Sequence, residues 1–239
     1  MMNRRQLLAA SPALLTACAA LPPTVPDGLA AGEQRAWQLA GERLWLWLPH
    51  GYAQRRERWP LLVFLHGSGE RGTDLGQVKV HGPPRLAAAG ADYPLVLASP
   101  QLEAGVRWEP ARLHRLLQAL QARLHVDRQR SLATGLSLGG HGVWNWACRH
   151  PRDLAAIAPV CGYGDPGAVP AMREVPVRAY HGGADTVVPP ARQQACVDAL
   201  NAAGGRATLT LYPGVGHDAW TPAYQDPGLL PWLLAQRQA

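Results

Sequence analysis

Lysine is almost absent from this 239-residue chain: Lys79 is the single one among 23 basic residues, and the others are arginine. The basic residues are scattered, and no run of them is interleaved with aromatics, which argues against nucleic acid as a partner. The formal charge of +6 allows mild attraction to anionic surfaces or acidic polysaccharide, which charge alone does not establish. Cysteine is scarce too. Of the four, Cys18 lies near the N-terminus, and Cys148, Cys161 and Cys196 permit at most one disulfide. Burial as small apolar side chains suits Cys148 and Cys161. No Cys-x-x-Cys pair and no His/Cys spacing of ligand type occurs, so no metal is expected. No internal repeat is visible either.

The first residues do not read as part of a fold. Asn3-Arg4-Arg5-Gln6 is a twin-arginine start, Leu7 to Leu15 is a short apolar run, and Leu15-Thr16-Ala17-Cys18 closes it. That run is too short for a membrane-spanning anchor and has the layout of an export signal. The last four residues resemble the lipobox of bacterial lipoproteins, with residues 1–17 as signal peptide and Cys18 as the lipidated residue. The alternative is an ordinary signal peptide with an incidental cysteine, and the export route, twin-arginine or general, stays open. Residues 18–35, rich in proline, read as a tether. The first 17 residues hold two arginines and no acid, so their removal would lower the charge from +6 to +4. Residues 36–239 suffice for one α/β domain and are too few for two.

That domain is organised around Gly135-Leu136-Ser137-Leu138-Gly139. A β-prone run precedes it and a helical pattern, His141 to Arg149, follows. A serine between glycines at an abrupt strand-to-helix turn is a nucleophile elbow. Gly135 and Gly139 are then needed because a Cβ at either position would meet the strand or the helix. Ser137 Oγ would project above the sheet, with the Leu138 N–H at the helix N-terminus as one oxyanion donor.

Around it the chain alternates. Ala36 to Ala40 and Arg43 to Leu48 suggest a leading antiparallel hairpin about Gly41. Trp59 to Leu65 is a continuous apolar run, as in a parallel strand covered on both faces. Strands are also expected over 93–100, 154–162, 175–180 and 207–212, and helices over 112–124 and 190–203. Strands alternating with helices give a doubly wound, mostly parallel sheet. Two strands end in residues suited to chemistry: Asp185 follows His181-Gly-Gly-Ala, and His217 follows Gly214-Val-Gly216. Ser137, Asp185 and His217 stand in the chain order that an α/β-hydrolase uses. Asp165 is the rival acid. His66, His141 and His181 are alternative histidines, the first and last placed to brace loops at strand ends. Asp218, next to the base, suits a turn cap.

The runs His66-Gly-Ser-Gly-Glu-Arg-Gly72, Gly135-Leu-Ser-Leu-Gly-Gly140, His181-Gly-Gly-Ala-Asp185 and Gly216-His217-Asp218 resemble the α/β-hydrolase superfamily over nearly all of residues 36–239. Within it the chain is similar to bacterial secreted esterases near polyhydroxyalkanoate depolymerases, feruloyl and acetylxylan esterases, and the phospholipase/carboxylesterase-like group called predicted peptidases. The resemblance implies serine hydrolysis without a cofactor and a second oxyanion N–H from Ser68.

Trp108 and Trp220 are candidate substrate-stacking residues or buried loop anchors. Glu70 is a further substrate-binding candidate that could order the oxyanion loop through Arg71 or a backbone amide. Trp144 and Trp146, two apart on a helix, cannot share a face. Only about a dozen residues separate Gly162 from Val175, so no large cap fits and the cleft should be open. The expected function is hydrolysis of small-molecule or polysaccharide-linked carboxylic esters. A serine peptidase of the same fold is the alternative. A non-catalytic surface binder is a third reading, against which the complete Ser, Asp and His set argues. No obligate protein partner is evident, and the membrane is expected only through the lipid on Cys18, on the periplasmic or exterior side. Cys18→Ala should shift the protein from the detergent-extractable membrane fraction to the soluble one or block its processing. A variant that still sediments with membranes would contradict the lipobox reading.

Overall fold

The computed structural model describes residues 30–238. The export signal, Cys18 and most of the proline-rich tether fall outside the described residues. The leading hairpin is β1 (Gln34–Leu39) and β2 (Glu42–Trp47), beginning two residues before the expected domain start. It turns through Ala40 at φ 53° and Gly41 at φ 83°, two successive left-handed residues whose twist matches that of paired strands.

The chain continues through β3 (Trp59–Leu65), α1 (Gly82–Ala88), β4 (Val96–Pro100), α2 (Pro110–Arg123), β5 (Val126–Leu136) and α3 (Leu138–Arg149). After these come β6 (Ala156–Val160), β7 (Val177–Gly182), α4 (Pro190–Ala202), β8 (Ala207–Tyr212), α5 (Trp220–Gln225) and α6 (Leu229–Leu234). The eight strands make one sheet in the order β1-β2-β4-β3-β5-β6-β7-β8. The two β2 pairings are antiparallel and the pairs from β3 to β8 are parallel. This is the doubly wound, mostly parallel sheet expected, with its antiparallel start. Between β6 and β7 the chain forms only a 3₁₀ turn, Val169–Met172, and no cap.

Both faces of the sheet are buried, and the alternation of side chains along each strand divides the core in two. Leu61, Val63 and Leu65 of β3 face one layer, with Leu116 and Leu120 of α2, Val143 and Trp144 of α3 and Leu200 of α4. Leu62 and Phe64 face the other, with Ala87 of α1, Ala223 of α5 and Leu233 of α6. Trp144 and Trp146 are both fully buried. Both belong to the same core layer. The Trp146 indole donates to Asp153 Oδ2 at 2.7 Å. Among the described residues no helix is long and apolar enough to cross a membrane.

The sheet order reverses at β3. In open parallel sheets, ligands collect at the carboxyl ends of strands around such a point. The loops leaving β3, β5, β7 and β8 carry the residues singled out in the sequence.

Candidate active site

Ser137 sits between the last residue of β5 and the first of α3, at φ 50° and ψ −113°. Left-handed backbone at a residue with a side chain is strained, and the surrounding packing must hold it. Here the packing does so by close approach. An ideal Cβ on Gly139 would lie 1.9 Å from the Leu65 carbonyl oxygen, and one on Gly135 would lie 2.7 Å from the Gly139 backbone. The end of β3 therefore rests directly on the first turn of α3. The Ser137 N–H donates to Val160 O at 2.9 Å, which ties the elbow to β6 as well.

His217, in the loop after β8, places Nε2 2.9 Å from Ser137 Oγ. Its Nδ1 lies 2.7 Å from Asp185 Oδ2. A carboxylate accepts only, so Nδ1 carries the proton and Nε2 is left to accept from the serine hydroxyl. Asp185, in the loop after β7, has a fully buried carboxylate. Its Oδ1 accepts from the Val187 and Val188 amides, each at 2.9 Å. Burial alone would push the Asp185 carboxyl up. The hydrogen bond to His217, the two amides and the His217 charge outweigh it and hold the group below its ordinary range.

The competing residues have other partners. Asp165 Oδ1 accepts from the Gly167 amide in its own turn at 2.9 Å. Asp218 is exposed, and its carbonyl receives the Thr221 N–H. His141 Nδ1 is 2.8 Å from the Tyr163 carbonyl. His66 braces the strand-end loop: Nε2 accepts from the Leu102 amide at 3.0 Å, and Nδ1 donates to Gly67 O at 2.6 Å. Burial pushes His66 down to about 4, so the 3.8 Å approach of Glu70 to its ring is not an ion pair at neutral pH.

The two tryptophans separate. Trp108 is 5% exposed, its indole donates to His66 O at 3.1 Å, and its ring meets the His66 ring edge-on. No face remains for a substrate, which corrects the expectation of a stacking role. Trp220 is half-buried as the first residue of α5 and stands 5.3 Å from the His217 ring at 86°. The His81 ring lies 5.4 Å from that of Trp220. His81 Nε2 is 3.7 Å from Glu70 Oε1, and Glu70 Oε2 is buried without a hydrogen-bond partner. Trp220 thus approaches both His217 and His81, and His81 approaches Glu70. Sequence reasoning missed His81; its position just before a helix gave no signal. Arg71, not Glu70, ties down the Ser68 peptide, through Ser68 O at 3.0 Å. The Leu138 N–H opens α3, where helix geometry supplies no internal acceptor.

Two clusters among the described residues bring three potential metal ligands together: His114, His150 and Asp153, and Cys161, His181 and Asp185. The His114 and His150 rings lie stacked at 4.5 Å and 8°. Lone pairs in parallel ring planes do not converge on one ion. Both His181 nitrogens are occupied by protein acceptors. Burial pushes the Cys161 thiol up to about 12, away from a metal-binding thiolate.

The sheet, the strained elbow and the Ser137–His217–Asp185 chain at its carboxyl edge define an α/β-hydrolase. Residues 105–225 match the dienelactone hydrolase family, and the chain belongs to that family. Over 103 residues it is 30% identical to a putative carboxymethylenebutenolidase of Salmonella typhimurium, across 38% of this chain and 37% of that relative. The chain therefore spans little more than a third of the curated relatives that it matches. A solved thermostable esterase is similar at a TM-score of 0.74 and 26% identity, covering 86% of this chain and 63% of that one. A ferulic acid esterase shares the fold at a TM-score of 0.60 and 18% identity, over 84% of this chain and 96% of its own.

The His66 environment sets a pH dependence of stability. Above pH 6.5 the ring is neutral whether folded or unfolded. As the pH falls from 6.5 to about 4, the unfolded chain takes up a proton that the buried ring refuses. Stability then drops, by about 3 kcal/mol at most. In His66→Gln the Oε1 can accept the Leu102 amide and has no such proton to gain. Urea midpoints at pH 7 and 4.5 should show a larger acid loss in the parent than in this variant, and equal losses would contradict the assignment.

Proposed function

We propose that this protein is a serine hydrolase of carboxylic esters that works through an acyl-enzyme. The observation that carries the reading is the unbroken Ser137 Oγ–His217–Asp185 hydrogen-bonded chain on a strained strand-to-helix turn. Ser137 attacks the acyl carbonyl while His217 Nε2 takes its proton. His217 then returns that proton to the leaving alcohol, and water repeats the sequence to release the acid. Asp185 holds the Nδ1–H tautomer and offsets the charge that the ring gains. The Leu138 and Ser68 amides receive the negative charge that develops on the carbonyl oxygen.

Trp220 beside His217 and the open edge of the sheet favour an aryl, sugar or other flat group held by stacking, while Glu70 is buried and out of reach of a substrate. Among the described residues no cap stands over Ser137, which speaks against a lipase activated at an interface and for short-acyl or carbohydrate-linked esters. A lipid on Cys18, left after cleavage of residues 1–17, would hold the enzyme on the periplasmic or exterior side of a bacterial membrane, where polysaccharide-linked esters are accessible.

Kinetics on p-nitrophenyl esters, feruloyl and acetyl sugars and aminoacyl amides test the assignment. Ser137→Ala and Asp185→Asn should each lower kcat on esters by about 10⁴-fold with the fold intact. Asp165→Asn should stay near the parent. Preference for the amides would move the protein to the peptidase reading, and near-normal turnover in Asp185→Asn would displace the acid.

A further inference from the structure

Asp185 has a second histidine against it. His181, the fifth residue of β7, is fully buried, and its Nε2 lies 3.1 Å from Asp185 Oδ2, the oxygen that also receives His217. The same Nε2 is 2.9 Å from the Val188 carbonyl. On the other side of the ring, Nδ1 faces Gln193 Oε1 from α4. The orientation of Gln193 is not free. Its Nε2 donates to the Pro159 carbonyl at 3.1 Å, and turning the amide over would set two oxygens against each other.

Each ring nitrogen of His181 therefore faces only acceptors: an amide oxygen at Nδ1, a carbonyl and a carboxylate at Nε2. A neutral imidazole satisfies one such face and leaves a lone pair against an oxygen at the other. An unsatisfied buried polar pair of that kind is costly. A ring protonated at both nitrogens satisfies all three contacts, and the Asp185 carboxylate balances its charge. The remaining titratable groups nearby do not supply that charge balance. Cys161, at the end of β6, holds its proton because burial raises the thiol to about 12. His141, from the first turn of α3, is pushed down by burial. His217 shares Asp185 from the loop after β8.

We propose that His181 is a positioning residue: a buried imidazole carrying protons on both nitrogens that clamps the loop from Asp185 to Val188 and fixes the carboxylate on which His217 rests. The inference depends on His217 being the general base of the proposed function. Its consequence is electrostatic as well as steric. The His181 charge offsets part of the Asp185 charge that His217 feels, so its loss should make the His217 ring easier to protonate.

His181→Gln keeps an N–H donor for Val188 O and Asp185 and removes the charge. We expect kcat on p-nitrophenyl acetate to fall about tenfold with KM little changed, since the substrate does not touch this residue. The acid limb of kcat/KM should move to higher pH by about half a unit to two units, the span given by effective dielectric constants from that of water to about 20. A variant that melts earlier but keeps the parental kcat and acid limb would show a purely structural histidine and overturn the proposal. Should His181→Gln fail to fold, nitrogen NMR of the unaltered protein with labelled histidine decides. Two N–H signals from His181 at neutral pH support the clamp, and one bare ring nitrogen overturns it. Ser137→Ala measured alongside separates the two levels: if that variant stays active, the proposed function itself fails, whatever His181 does.

Discussion

The contact between the end of β3 and the first turn of α3 governs this molecule. No side chain fits at Gly139, because its Cβ would overlap the Leu65 carbonyl. That approach lets α3 begin directly beneath the loop that carries Ser68, and it holds Ser137 at a backbone angle that an unconstrained serine would leave. The strain stays because β3 and β5 are paired from Leu61 to Leu65, and β5 and β6 from Leu132 to Leu136. Two parallel ladders with a fully buried interior over-determine one residue. The serine hydroxyl and the Leu138 N–H are presented to the same space as a result.

A second constraint is electrostatic, and it sits one loop away. The Asp185 carboxylate is removed from water and yet meets donors on both oxygens: two amides on Oδ1 and His217 on Oδ2, with His181 Nε2 3.1 Å from the same Oδ2. A buried carboxylate with so many donors is stabilised as the anion and has one orientation open to it. His217 inherits that orientation through Nδ1, so the direction of its Nε2 towards Ser137 is set before any substrate arrives. The geometry is thus pre-organised from the sheet outward, and the side chains that touch a substrate have little left to arrange.

Most of this was legible in the chain because the informative residues are punctuated. Glycines around Ser137 and the apolar run of β3 mark strand ends without ambiguity, and the order Ser137, Asp185, His217 fits one topology. The C-terminal helices were not legible. Both α5 and α6 are six residues long and carry an internal proline, Pro222 and Pro231, so neither shows a helical period. Their absence from the reading made Trp220 a loop residue, when it is the start of a helix that packs beside His217. Trp108 was ambiguous for a different reason: sequence reveals an aromatic in a loop, and only the fold reveals that its indole is bonded to His66 O. His181 looked like a loop brace, and it is one. Its ring also meets Gln193, twelve residues on in another element, a contact that no local pattern encodes.

The central claim is that Ser137 is a nucleophile activated through His217. A fluorophosphonate probe tests it most directly, because phosphonylation needs an activated hydroxyl and leaves an adduct that does not turn over. Intact mass and peptide mapping should find one adduct, on Ser137, formed slowly in His217→Ala and not at all in Ser137→Ala. A protein that stays unlabelled, or that is labelled equally well without Ser137, would contradict the account.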